Sequence, residues 1–144
     1  MPIKTFRGLI ADGDQDTIVL HTNDGSIGYR IVKFQAMGIN EDQAYESTLQ
    51  IFKVDQTGSI TTDVDFSKNT LLGAILYNDT TSAGTALTRT VIFDNEIFNQ
   101  DIYITFKSIS SSSAMNYYIE LEQVKLDLSE NTVATLKDIR NVSG

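Results

Sequence analysis

The chain has no cysteine, no tryptophan, one proline and one histidine among its 144 residues. Without cysteine there is no disulfide scaffold and no thiolate-ligated zinc site, and the redox compartment is left open. With Pro2 as the sole proline, the turns fall to Gly, Asn, Asp and Ser. Positive charge is scarce: 11 Lys and Arg stand against 19 Asp and Glu, a net charge of -8 and a pI near 4.4. Phosphate backbones repel such a protein, so naked nucleic acid is not an expected partner. No apolar run approaches the ~20 residues of a membrane-spanning helix, and no membrane partner is expected. The opening Met1-Pro2-Ile3-Lys4-Thr5 has no apolar run behind it, so no signal peptide is read and the protein is expected to be made and used without Sec export.

What is present is ordinary globular composition. Hydrophobic residues make up 41% and charged residues 21%, which argues against disorder. A chain of this length buries roughly two thirds of its unfolded surface, so one domain over 1–144 needs no metal or cofactor to hold a core. Seven Phe, six Tyr and abundant Thr, Ile and Val favour strands over helices. The acidity is uneven: residues 34–70 carry Glu41, Asp42, Glu46, Asp55, Asp63 and Asp65 against Lys53 and Lys68.

Alternation and turn residues predict strands over 5–10, 16–22, 28–37, 45–54, 71–77, 88–93, 101–109 and 115–128. Asn23-Asp24-Gly25 and Gln56-Thr57-Gly58-Ser59 read as turns, 78–87 as a long exposed loop, and Ser110 to Ser113 as a polar turn. Strand 71–77 is apolar on both faces, with Leu71, Ile75 and Tyr77 on one and Leu72, Ala74 and Leu76 on the other. In 115–128, Tyr117, Ile119 and Leu121 share one parity, while Val124, Leu126 and Leu128 share the other. A β-bulge near Glu122-Gln123, or a change of sheet there, would bring both sets to the core. After Ser129 the period changes to three, through Val133, Leu136 and Ile139, which predicts a short C-terminal helix over 129–142. About eight short strands without βαβ alternation predict an all-β protein: a single jelly-roll-like β-sandwich.

Few residues offer chemistry. His21 ends an apolar run and has no nucleophile motif near it, so it is read as structural or exposed. Asp12, Asp14 and Asp16 are spaced like the first three ligands of a calcium loop. Thr17 stands where that loop needs its glycine and Asn23 where it needs its bidentate glutamate, so the EF-hand is rejected and an acidic hairpin turn is expected. Asp63 and Asp65, and likewise Glu120 and Glu122, read as pairs on solvated strand faces, although a carboxylate pair also suits carbohydrate chemistry. Gly25-Ser26-Ile27-Gly28 lacks the helix and the lysine of a phosphate loop. Phe98, Tyr103, Tyr117 and Tyr118 enrich the C-terminal half in aromatics, and Tyr118 is the one expected to be exposed because it shares a face with Glu120 and Glu122. An exposed aromatic could stack on a sugar or anchor a protein interface. No catalytic, cofactor or metal site is predicted.

The stretches 7–13 (RGLIADG), 28–34 (GYRIVKF), 92–103 (IFDNEIFNQDIY) and 116–122 (NYYIELE), continuing through 124–126 (VKL) to 132–137 (TVATLK), resemble small β-rich proteins of marine tailed bacteriophages. The likeness covers most of the chain, with 38–90 the most divergent. It implies a virion protein assembled in the bacterial cytoplasm, without implying any site residue. A capsid decoration or cement protein fits first: a homotrimer or dimer on the major capsid protein or another virion protein, adding buried area to the shell. Leu72, Ala74, Leu76, Tyr118, Leu136 and Ile139 are the interface candidates. A neck, tail or fibre-associated protein that binds host glycans is the alternative, and a lectin-like or carbohydrate-active domain the third.

Overall fold

Period-two alternation of apolar residues dictates strands, and the computed structural model, which describes residues 2–20, 26–39, 45–79, 86–109 and 113–126, contains eight of them. They are β1 (Ile3–Ile10), β2 (Gln15–Ile18), β3 (Ile27–Gly38), β4 (Tyr45–Phe52), β5 (Leu71–Asp79), β6 (Ala86–Ile92), β7 (Ile102–Ser108) and β8 (Met115–Lys125). No helix occurs among the described residues. The predicted C-terminal helix, with Leu136 and Ile139, lies outside them, as does His21.

The strands form two antiparallel sheets. One has three strands in the order β1-β8-β3, the other five in the order β2-β7-β4-β5-β6. Their facing sides share one hydrophobic cluster. The three-stranded sheet contributes Ile10, Tyr29, Ile31, Phe34, Met115, Ile119 and Leu121, and the five-stranded sheet Tyr45, Leu49, Ile51, Ile75, Ile102, Ile104 and Phe106. Alternation on β7 and β4 places these side chains inward as the sequence predicts.

Two strands reach that result through an extra residue. β3 pairs Ile31 with Leu121 and Lys33 with Glu120, so Val32 is squeezed out of the ladder. The shift lets Tyr29 and Ile31 before it, and Phe34 after it, all face the core. The bulge expected at Glu122-Gln123 of β8 is absent: β8 pairs with β1 without a break from Met115 to Glu122. Leu126 is buried outside the main cluster. It packs where Gly28 leaves room: a β-carbon on Gly28 would lie 2.9 Å from Ile97 Cγ2 and 3.2 Å from Leu126 Cδ1. A local cover of residues from 94–98, bridged to β3 through the mutual hydrogen bonds of Tyr29 and Phe98, thus buries Leu126 without turning the strand, while Val124 is half-buried and Leu128 lies outside the described residues.

The second extra residue is in β5, where Ile51 pairs with Gly73 and Phe52 with Leu71. Leu72 is the bulged residue and joins the central cluster, fully buried, while Leu71 falls beside Phe52. The predicted grouping of Leu72 with Ala74 and Leu76 is corrected accordingly.

Tyr45 and Tyr77 close one end of the core with their rings inside and their hydroxyls at the rim. Tyr45 donates to the Ala114 carbonyl at 2.7 Å and accepts from the Ile39 N–H, and its ring meets Tyr77 edge-on at 5.7 Å. The Tyr77 hydroxyl accepts from the Gly38 N–H. Tyr117 crosses between the sheets: its hydroxyl donates to Asp16 Oδ2 at 3.0 Å. It can do so because Gly8 has no side chain, as a β-carbon there would sit 2.7 Å from the Tyr117 oxygen.

Candidate functional site

The three aspartates spaced like calcium ligands are each engaged in holding the fold. Asp12 accepts the Ser108 N–H at 2.8 Å and faces the Lys107 ammonium at 3.6 Å. Asp14 takes part through its backbone: its N–H donates to Ala11 and its carbonyl accepts from Phe106, a tight hairpin made possible by Gly13 at φ 80°. Asp16 receives the Tyr117 hydroxyl. Burial, helped by the Asp16 hydrogen bond and charge, pushes the Tyr117 phenol up to about 12. Among the described residues no group of three His, Asp or Glu side chains could hold a metal ion.

The 53–70 segment lies along the outer side of β4 rather than extending the sheet. The Thr62 carbonyl accepts from the Thr48 hydroxyl and the Asp63 carbonyl from the Gln50 amide. Asp63 and Asp65 are therefore not a pair on a strand face. Asp65 accepts both the hydroxyl and the N–H of Ser67, which hold its carboxyl below the usual range.

The interface candidates separate. Leu72 is interior and Ala74 is 5% exposed, so neither offers contact area. Leu76 is 45% exposed on the outer face of the five-stranded sheet. Sequence reasoning missed its neighbours there. Val91, 41% exposed, pairs with Ala74 and is diagonal to Leu76, while Phe66, 58% exposed, meets Phe93 edge-on at 5.3 Å. Val91 was legible only as a strand residue, because its position beside Leu76 depends on the pairing of β5 with β6.

Tyr118 lies on the other sheet. Its outer face is built in register rows across β1, β8 and β3: Ile3–Glu122–Arg30, Thr5–Glu120–Lys33, Arg7–Tyr118–Gln35 and Leu9–Asn116–Met37. Glu122 pairs with Arg30 at 3.0 Å. Glu120 accepts the Tyr118 hydroxyl at 2.6 Å, which raises the Tyr118 phenol above its ordinary value. A tyrosine bonded to the residue two positions along its own strand leans toward that residue, so Tyr118 is tilted along β8.

A cleft of about 820 Å³ follows the last two rows. Arg7, Tyr118 and Gln35 line it with Asn116 and Met37, and Thr88 and Thr90 of β6 close one side. The two threonines have inward parity, opposite Tyr77 and Ile75, yet both are exposed. They lie on the edge strand of the wider sheet, next to β3 of the narrower one.

No protein-family model and no curated protein matches the sequence. The function therefore rests on these two surfaces and the geometry behind them.

Proposed function

We propose that this chain is a non-catalytic virion assembly protein, a capsid decoration or cement protein that docks on the shell in many copies as a homo-oligomer. The observation that carries the reading is the exposed apolar pair Leu76 and Val91 on the outer face of the five-stranded sheet, at β6, which is an edge strand among the described residues. Large exposed apolar patches on a rigid sheet mark interaction surfaces. An unpaired edge adds a row of backbone donors and acceptors. The resemblance to bacteriophage proteins supplies the setting, with the major capsid protein as the partner.

The strand pairing supports a jelly-roll-like β-sandwich: β1 with β8, β2 with β7 and β4 with β5 is the nesting of a rolled hairpin. Such a domain, with the 1–144 chain as its unit, is stiff enough to act as a wedge at capsomer boundaries. A standard interface buries roughly 1,600 Å² in total, and repetition over a shell multiplies that area without chemistry.

The test is Leu76→Asp combined with Val91→Asp, read by sedimentation and by co-pelleting with undecorated shells. Loss of self-association and of shell binding, with an unchanged unfolding midpoint, is expected. Retention of both would overturn the docking face. The cleft lined by Arg7, Tyr118, Gln35 and Asn116 favours a second reading, a tail or fibre-associated protein that binds glycans, and copy number separates the two: a dozen or fewer per particle means tail.

A further inference from the structure

We propose that the cleft across the three-stranded sheet binds a carboxylated sugar unit, with Arg7 as the anion partner and Tyr118 as the stacking platform. This inference does not rest on the docking strip, which occupies the other sheet.

Three observations carry it. First, the charge of the cleft departs from that of the molecule. The protein has 19 acidic residues, yet among the described residues Arg7 is the only charged one lining the cleft. Arg7 is exposed and makes no ion pair among the described residues, whereas Arg30 in the same sheet is committed to Glu122. A guanidinium left unpaired presents a planar fork of donors that matches a carboxylate. Glu120, the nearest acid along the strand, has its carboxylate taken by the Tyr118 hydroxyl and lies opposite Lys33 in register.

Second, the remaining polar groups are those that read hydroxyls. Gln35 and Asn116 carry amides that donate and accept, and Thr88 and Thr90 carry hydroxyls that do the same. Neighbouring sugar hydroxyls require this dual character. A phosphate-rich ligand would need several cations, and none but Arg7 is present.

Third, Tyr118 is held in place. Its hydroxyl is anchored at 2.6 Å to Glu120, so the side chain is tethered along its strand before any ligand arrives. A fixed aromatic face offers apolar contact to the C–H side of a pyranose at little entropic cost. The cleft's volume of about 820 Å³ suits one to a few sugar rings.

The experiment is a titration of the full chain, followed by backbone amide NMR shifts, with a hexuronate trisaccharide and with the neutral trisaccharide of the same linkage. Shifts at Arg7, Gln35, Asn116 and Tyr118 are expected, with the neutral sugar bound about tenfold more weakly or worse. Arg7→Met should erase that preference while leaving neutral binding, and Tyr118→Ala should weaken both. Arg7 is exposed and Tyr118 half-buried, and the unfolding midpoint of each variant checks that the fold survives. No shifts at millimolar sugar, equal binding of the two sugars, or binding that neither substitution alters would overturn the proposal.

Discussion

At the scale of single residues, Tyr117 shows how one side chain ties the sheets together. Its ring fills space that Gly8 leaves empty, and its hydroxyl reaches Asp16 on the opposite sheet. Tyr117→Phe keeps the ring and removes the bond, so it should lower stability by roughly 1–2 kcal/mol at neutral pH, measured by denaturant unfolding. The phenol also links stability to pH. Its folded value of about 12 lies above the ordinary 10.0, so the folded state keeps the proton where the unfolded state releases it. The stabilisation is complete below pH 10 and is lost as pH rises toward 12. After allowance for solvent screening at the rim, the loss is on the order of 1 kcal/mol. The same Tyr117→Phe variant should show a flatter alkaline limb, and an identical limb in both proteins would contradict this assignment.

At the scale of elements, alternation is only as informative as the ladder is regular. On β4 and β7 the inward residues Tyr45, Leu49, Ile51, Ile102, Ile104 and Phe106 are legible from parity alone, and all are fully buried. On β3 the parity changes between Ile31 and Phe34. That was the sequence signal of a bulge, but the louder change after Leu121 in β8 drew the prediction one strand away. There a separate segment supplies the cover instead, and no single-strand pattern reveals a neighbour from 94–98. The bulge has a direct consequence. With Val32 deleted, Ile31 and Lys33 become consecutive and still face Leu121 and Glu120, so every core residue keeps its side. This deletion should preserve cooperative unfolding. Deletion of Thr105 from the regular β7 would instead send Ile104 and Phe106 to opposite faces and abolish the folded state. Thermal melts of the two variants make the comparison, and similar damage in both would argue against the bulge.

At the scale of the molecule, the two candidate surfaces meet at β6, an edge strand of the five-stranded sheet among the described residues. Its inward-parity Thr88 and Thr90 line the cleft, and its outward side carries Val91 beside Leu76. Little of this was visible in the sequence. Leu76 and Tyr118 were legible as outward-facing by parity, Leu76 being exposed and Tyr118 only half-buried, but strand order, which places them on different sheets, depends on pairings distant in the chain. One face is thereby free to dock while the other stays open to solvent, an arrangement suited to a protein that coats a surface. The most direct test of the proposed virion role is a cryo-EM map of the bacteriophage particle in which that role would place the chain. The account predicts many symmetry-related copies on the capsid, each with Leu76 and Val91 against the shell and Arg7 and Tyr118 outward. Absence from the shell, or copies seated through the Arg7–Tyr118 face, would contradict it.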